Sequence, residues 1–166
     1  MYQATKGMAT LMCQGYARQY NLDVLVARIY SGYGPLEKSH RLFPRLYSSF
    51  IEGTSIDLYD GVHDFIYIDD FIRGIDLLVE QEWERGDVVN FGSGKSHTNL
   101  EVLHAWRNVT GFVGATKYIE RFNKAFESKE WRCDTGYAES RYGFHTEISL
   151  EEGIRRFIDY KGKDIV

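Results

Sequence analysis

Two residues at the start of the sequence carry its clearest chemistry. Tyr2 and Lys6 stand four positions apart, a spacing that in a helix stacks them one turn apart on the same face. A free phenol ionises at about pH 10, too high to serve as a base at neutrality. A neighbouring ammonium favours the phenolate, which is what a proton shuttle needs. Taken alone, the spacing fits an exposed lysine beside a half-buried tyrosine better than a proton shuttle. Other groups offer less. His63, His97 and His104 lack metal-ligand spacing and Cys13 and Cys133 are far apart, so no metal site is expected. Asp69 and Asp70 suit a helix cap better than a catalytic pair. Gly92-Ser93-Gly94 suits a tight turn better than a phosphate cradle.

These residues need elements to position them. Gln3 to Gln19 reads as a helix with Met8, Leu11, Met12 and Gly15 on one face. LDVLVARIY, from Leu22 to Tyr30, contains a continuous apolar run that suits a parallel strand covered on both faces. Pro44 is placed as the first residue of a helix running to Ile51 and stopped by Gly53. SIDLYDG suggests a short strand closed by an Asp60-Gly61 turn, and DFIYI a buried strand. The latter feeds a helix headed by Asp69 and Asp70, with Ile72, Ile75, Leu78 and Val79 as its apolar stripe. VVNFGSG is a third strand ending in glycines. Thr98 with Glu101, and Ser149 with Glu152, spell capping boxes. In the second of these helices Leu150, Ile154, Phe157 and Ile158 should face the core. Strands alternating with helices mean an α/β fold with a largely parallel sheet.

The chain's 166 residues are enough for one sizeable domain. Hydrophobic content of 43% with 27% charged residues is ordinary for a globular protein, which argues against disorder. A net charge of −4 and the lack of any Lys/Arg-rich run argue against a nucleic-acid partner. No apolar stretch reaches membrane-spanning length, and no signal-peptide pattern opens the chain. The two cysteines read as free, buried thiols, and the location as cytoplasmic.

Four further stretches follow the Tyr-x-x-x-Lys in order. They are R-I-Y-S-G-Y-G-P at Arg28 to Pro35, D-F-I-Y-I-D-D at Asp64 to Asp70, V-N-F-G-S-G at Val89 to Gly94, and a closing series. That series is Arg132-Cys133-Asp134, Tyr142-Gly143-Phe144 and SLEEGIRRFIDY. Together they resemble the extended short-chain dehydrogenase/reductase family, specifically its NAD-dependent nucleotide-sugar epimerases and dehydratases. The resemblance covers nearly the whole chain. It implies the C-terminal half of a Rossmann-like parallel sheet with a small α+β substrate-binding subdomain. Residues 1–35 and 62–94 would join the Rossmann layer, and 36–61 and 95–166 the substrate-binding region. The sugar-nucleotide pocket itself would be built around Leu36 to Gly61 and Thr116 to Phe144.

By the same resemblance Tyr2 would be the acid/base at a sugar hydroxyl or keto group, and Lys6 would assist it and hydrogen-bond the nicotinamide ribose. Tyr2, Lys6, Arg28 and Tyr30 would contact NAD or NADP. Ser31, Leu42, Phe43, Pro44 and His63 would bind the nucleotide-diphosphate sugar, with Arg132 on its pyrophosphate and Asp134 near its nucleoside ribose. Arg132 also fits a surface cation paired with Glu130 or Asp134. A homodimer through the Tyr2 helix, by its Met8/Leu11/Met12 face, is implied as well.

The sequence departs from the family pattern in places. Ser31 stands where the pattern has Asn, His63 where it has Arg, and Thr10 where Glu is frequent; together these suggest an unusual substrate branch. In the family a G-x-x-G-x-x-G turn, an acidic residue for the adenosine ribose and a triad Ser/Thr all precede the Tyr-x-x-x-Lys. The expectation is that Met1 marks a truncated gene or a fragmentary sequence, that cofactor affinity of this chain alone is largely lost, and that a hydrophobic strand edge is exposed. The reading is therefore the C-terminal part of an epimerase, dehydratase or 4-keto reductase. GPLEKSHRLFP is similar to a branch acting on deoxy-sugar nucleotides. The alternatives are a non-catalytic remnant that binds a partner or a sugar nucleotide, and a chain that complements a separate Rossmann subunit.

Overall fold

The apolar run ahead of Tyr30 finds the parallel partner expected of it. In this computed structural model, which describes residues 1–119 and 130–163, the chain opens with α1 (Tyr2–Tyr20). It continues through β1 (Val26–Ile29), β2 (Ser31–Tyr33), α2 (Leu42–Glu52), β3 (Ile56–Tyr59), β4 (Val62–His63), β5 (Phe65–Tyr67) and α3 (Ile68–Glu80). The later elements are β6 (Val88–Phe91), β7 (His97–Thr98), α4 (Asn99–Thr110), β8 (Thr116–Ile119), α5 (Gly136–Tyr142) and α6 (Leu150–Lys163). β1 pairs with β6, β2 with β5 and β3 with β8, all parallel, while β4 pairs antiparallel with β7. The fold is α/β. Residues 120–129, part of the stretch assigned to the sugar-nucleotide pocket, lie outside the described residues.

Several boundaries differ from expectation for physical reasons. The strand expected from Leu22 starts only at Val26, where the amide of Val26 reaches Asp87 O at 2.9 Å and pairing with β6 begins. α2 starts at Leu42, so Pro44 is its third residue; first-turn amides have no helical acceptor, and a proline there breaks nothing. α3 starts at Ile68 with Tyr67 at its N-cap, so Asp69 and Asp70 sit inside the first turn and do not cap it. Asp70 instead is buried and takes the amides of Glu147 and Ile148 and the guanidinium of Arg73. Thr98 and Glu101 close a full capping box. Ser149 accepts the amide of Glu152 at 3.2 Å, but the Glu152 carboxylate turns to Arg155 and Arg156.

The apolar stripe of α3 is rotated from its expected line. Ile72 and Val79 are exposed, and the buried line is Asp70, Gly74 and Leu78. Gly74 lets the helix close on β6: a methyl group there would lie 2.4 Å from the Phe91 ring and 3.0 Å from Phe144. Close approach at that one position sets which face turns inward.

Two apolar clusters form the core. The larger gathers Phe43, Leu46, Trp106, Ile154 and Phe157 from α2, α4 and α6 around Tyr33 and Tyr67. The smaller packs Ile66, Val89 and Phe91 against Leu78, Tyr142 and Phe144. Ala138, Tyr142 and Phe144, from the stretch assigned to the substrate-binding region, therefore pack against β6 and α3. Ile154 and Phe157 of α6 are buried as expected, with Leu150 and Ile158 partly so. Cys13 and Cys133 are unpaired, the first half-buried and the second buried. Among the described residues, no helix is long and apolar enough to cross a membrane.

Candidate active site

α1 presents the tyrosine and lysine together. Lys6 Nζ lies 5.7 Å from the centroid of the Tyr2 ring, one turn along the same face. Both are exposed, Tyr2 at 73%. One turn further, buried Thr10 accepts a hydrogen bond from Arg28 Nε at 3.4 Å and donates to Lys6 O at 3.3 Å. Arg28 thereby ties β1 to α1 next to the pair. Tyr30 follows β1, with its ring 5.9 Å from that of Trp131. Burial, and then the neighbouring Cys133 and Asp64, push the Tyr30 phenol above its ordinary value, so it keeps its proton at neutral pH.

A buried carboxylate holds the next part in place. Asp64, just ahead of β5, is wholly buried. Its Oδ1 accepts from Ser93 N at 2.6 Å and Ser93 Oγ at 2.7 Å, and its Oδ2 from Gly94 N at 2.9 Å and Cys133 N at 2.8 Å. The Gly92-Ser93-Gly94 turn thus wraps a carboxylate of the protein itself. Gly92 is needed for this, because a Cβ there would come within 2.4 Å of Cys133 Cβ. The Cys133 thiol is pushed up to about 12 by burial first, then by Asp64 and Asp134. It is therefore inert at neutral pH. Asp64 stands in the quoted D-F-I-Y-I-D-D stretch, but its role is not visible there, since its partners lie far along the chain.

Beyond the turn, a cavity of about 590 Å³ opens between α2, β3, β4 and the start of α4. Ser31, Leu42, Phe43 and His63 line it, four of the seven residues expected on the substrate. Ser31 Oγ and His63 Nδ1 lie 3.3 Å apart. Phe43 is also core, stacked on Tyr33 with centroids 4.1 Å apart. Pro44 is buried beneath and does not line the cavity. Arg132 and Asp134 lie elsewhere, in a second concavity of about 390 Å³ with Gly94, Cys133 and Thr135. There Arg132 pairs with Glu130 at 3.3 Å, and Asp134 accepts from Gly136 N at 3.0 Å. Arg132 and Asp134 thus line a different concavity from Ser31 and His63, with the Cys133 amide between them held by Asp64, the residue after His63. Tyr2, Lys6, Arg28 and Tyr30 line neither concavity.

The first cavity also holds residues that sequence reasoning missed, namely Glu37, His40, Arg41, Arg45, Tyr59 and Asn99. Arg41 and Arg45 flank the Leu-Phe-Pro stretch at helical spacing, which was the available signal. Asn99 directly follows the capping Thr98 and was hidden by it.

Comparison with known proteins bears directly on this arrangement. The family described as the NAD dependent epimerase/dehydratase family matches residues 1–92, more than half of the chain. The chain belongs to this family. Among its epimerase/dehydratase relatives, a UDP-glucuronate 4-epimerase of Thermodesulfobacterium geofontis is 30% identical over 169 residues, covering 99% of this chain and 51% of that protein. A dTDP-glucose 4,6-dehydratase of Streptomyces antibioticus is 28% identical, covering 96% of this chain and 48% of that protein. The fold is that of a solved UDP-glucose 4-epimerase from Thermotoga maritima with UDP-glucose, at TM-score 0.88 and 22% identity over 99% of this chain and 54% of that one. It also matches a UDP-glucuronic acid 4-epimerase from Bacillus cereus in complex with UDP-glucuronic acid and NAD, at TM-score 0.87 and 23% identity over 98% of this chain and 52% of that one. The chain spans about half the length of the curated relatives it matches.

Proposed function

We propose that the chain is the acid/base and sugar-nucleotide-binding part of a nucleotide-diphosphate-sugar epimerase, dehydratase or 4-keto reductase that works with NAD or NADP. The observation that carries this reading is the cavity that gathers Ser31, Leu42, Phe43 and His63 beside two arginines. Relatives that act on UDP- or dTDP-sugars support it.

The residues present suit one end of a nicotinamide dinucleotide. Lys6, on an open face beside Tyr2, has donors for a ribose hydroxyl. No G-x-x-G-x-x-G turn occurs among the 166 residues to hold the dinucleotide's diphosphate, and this reading assigns that task to polypeptide outside them. The cofactor supplies hydride transfer when bound. The chain's own part is proton handling and substrate holding. Tyr2 Oη takes a proton from a sugar hydroxyl or returns one to a keto oxygen, with the Lys6 ammonium beside the charge that develops.

Joined to a glycine-rich NAD-binding half, the chain should convert a UDP- or dTDP-sugar, and Tyr2→Phe should lower kcat by roughly 10²- to 10⁴-fold. Conversion that survives Tyr2→Phe undiminished overturns the role of the pair. The high exposure of Tyr2, outside both concavities, favours a second reading in which this chain alone binds sugar nucleotides or a partner without turnover. Absence of conversion in the joined protein would favour that one. The proposal also includes self-association through the exposed Met8, Leu11 and Met12 of α1. A cytoplasmic setting accords with two unpaired cysteines.

A further inference from the structure

The Tyr2–Lys6 pair stands on an unsupported length of helix. Residues 2–9 are all exposed, and among the described residues none of their hydrogen bonds reaches another element. Thr10 is the first residue of α1 to be buried, at 7% exposure. From there on, one face holds the helix to the rest of the chain. Thr10 meets Arg28 of β1, Gln14 gives Nε2 to Gly86 O at 3.1 Å, and Ala17 is fully buried. Thr10 is therefore the last anchor before the pair. It lies one turn beyond Lys6 and two beyond Tyr2.

That anchor is a single hydroxyl used twice. Thr10 Oγ1 donates to Lys6 O at 3.3 Å and accepts from Arg28 Nε at 3.4 Å. A hydroxyl has one proton, so the bond inside the helix fixes where its lone pairs face, and Arg28 meets them from β1. No carboxylate pairs with Arg28 among the described residues, which leaves this hydroxyl as its side-chain acceptor there. Leverage gives the contact its importance. Eight residues of helix rise by about 12 Å, so a tilt of about 5° at Thr10 would carry Tyr2 sideways by about 1 Å. Misplacing a reacting group by about 1 Å can cost about a hundredfold in rate.

We propose that Thr10 and Arg28 are positioning residues for the Tyr2–Lys6 pair, the hydroxyl link between α1 and β1 setting where the phenol and the ammonium stand relative to the sheet. Neither residue has to touch the reacting atoms. A glutamate, frequent at this place in the family pattern, would hold the arginine by charge. Thr10 holds it by a neutral bond, which depends on direction as well as distance. The inference deepens the acid/base reading and rests on it for the reaction.

Two measurements test this. In the 166-residue chain, amide relaxation should show residues 5–9 ordered, with S² of about 0.85, and Thr10→Val should lower it below about 0.6 while residues 14–20 keep the parent's values. Valine keeps the branched shape and removes the hydroxyl. Thr10→Ser, which retains the hydroxyl, should match the parent. Gln14→Ala cuts an anchor on the far side of Thr10, so it should lower the unfolding midpoint and leave residues 5–9 ordered. In the chain joined to an NAD-binding half, Thr10→Val should lower kcat about tenfold or more with KM for the sugar within about twofold. Arg28→Lys added to Thr10→Val should lower kcat by no more than about a further twofold, because both changes break one link. Residues 5–9 that stay ordered in Thr10→Val, or an unchanged kcat, overturn the positioning role and leave the acid/base reading intact. An equal loss of kcat in Gln14→Ala also overturns it, since any loosening of α1 would then suffice. A joined parent without turnover overturns the acid/base reading and the positioning role with it.

Discussion

Asp64 is wholly buried where three stretches of chain meet, and its oxygens take four hydrogen bonds from Ser93, Gly94 and Cys133. Three of the donors are backbone amides that have no other described acceptor. Asp64→Ala strands them, at about 1–3 kcal/mol for each unsatisfied buried group, so a loss of about 3 kcal/mol or more is expected in urea unfolding. The released loop should also free Cys133, whose alkylation at pH 8 should change from undetectable in the parent to rapid in the variant. Glu37 makes the opposite case. Burial raises its carboxyl above the ordinary 4.5 despite Arg41, so its surroundings oppose the charged form on balance. A raised folded-state value means stability is fully present below the ordinary carboxylate value and is lost as pH rises through the raised one. Glu37→Gln, which cannot ionise, should therefore equal the parent at acid pH and exceed it at neutrality. A variant less stable than the parent at pH 7 would show that the Arg41 pair outweighs burial. Neither role was readable in the sequence, because each depends on what the rest of the chain places around one carboxylate. The Tyr2–Lys6 pairing was readable, because four residues of helix fix it locally.

Several helix and strand signals were legible because they are local. The full capping box at Thr98 and Glu101, the left-handed stop at Gly53 and the parallel run before Tyr30 all lie within a few residues of their effects. The inward face of α3 was not legible, since it is set by Phe91 and Phe144 closing on Gly74. The cavity behaved likewise. Leu42 and Phe43 were named through the family resemblance of their stretch, whereas Arg41, Arg45 and Asn99 became lining residues only when α2 and α4 met across β3. The same substitution should therefore have opposite signs on two helices. Gly74→Ala gains about 1 kcal/mol of helix propensity, but its methyl would lie 2.4 Å from the Phe91 ring, an overlap that costs about 1–3 kcal/mol or more. Net destabilisation is expected. Gly7→Ala on α1 meets nothing within 4 Å and should stabilise by about 0.5–1 kcal/mol. Equal midpoints for the two variants in chemical unfolding would mean that contact at Gly74 relaxes freely.

At the scale of the molecule, α1 is a long and mostly exposed helix. Of its 19 residues only Thr10 and Ala17 are buried, and Gln14 reaches across to Gly86 O at 3.1 Å. Its outer surface carries Met8, Leu11, Met12, Tyr16 and Tyr20, each more than half exposed. Below it β1 pairs only with β6 among the described strands, and Ile29 at its end is 41% exposed. Contiguous apolar surface of this kind marks an interaction face. A second copy is a geometrically simple occupant, because a helix with a continuous apolar strip can pack on its twin across a two-fold axis. The chain should then show concentration-dependent association in sedimentation. Met8→Glu combined with Leu11→Glu should restore a monomer, since two carboxylates on the strip would face their counterparts. Because neither residue is buried within the chain, far-UV circular dichroism and the unfolding midpoint at low concentration should stay as in the parent. A parent chain that sediments as a monomer at every concentration tested would assign the strip to a different occupant. Dissociation with a collapsed midpoint would show instead that α1 needs these side chains to dock on its own strands.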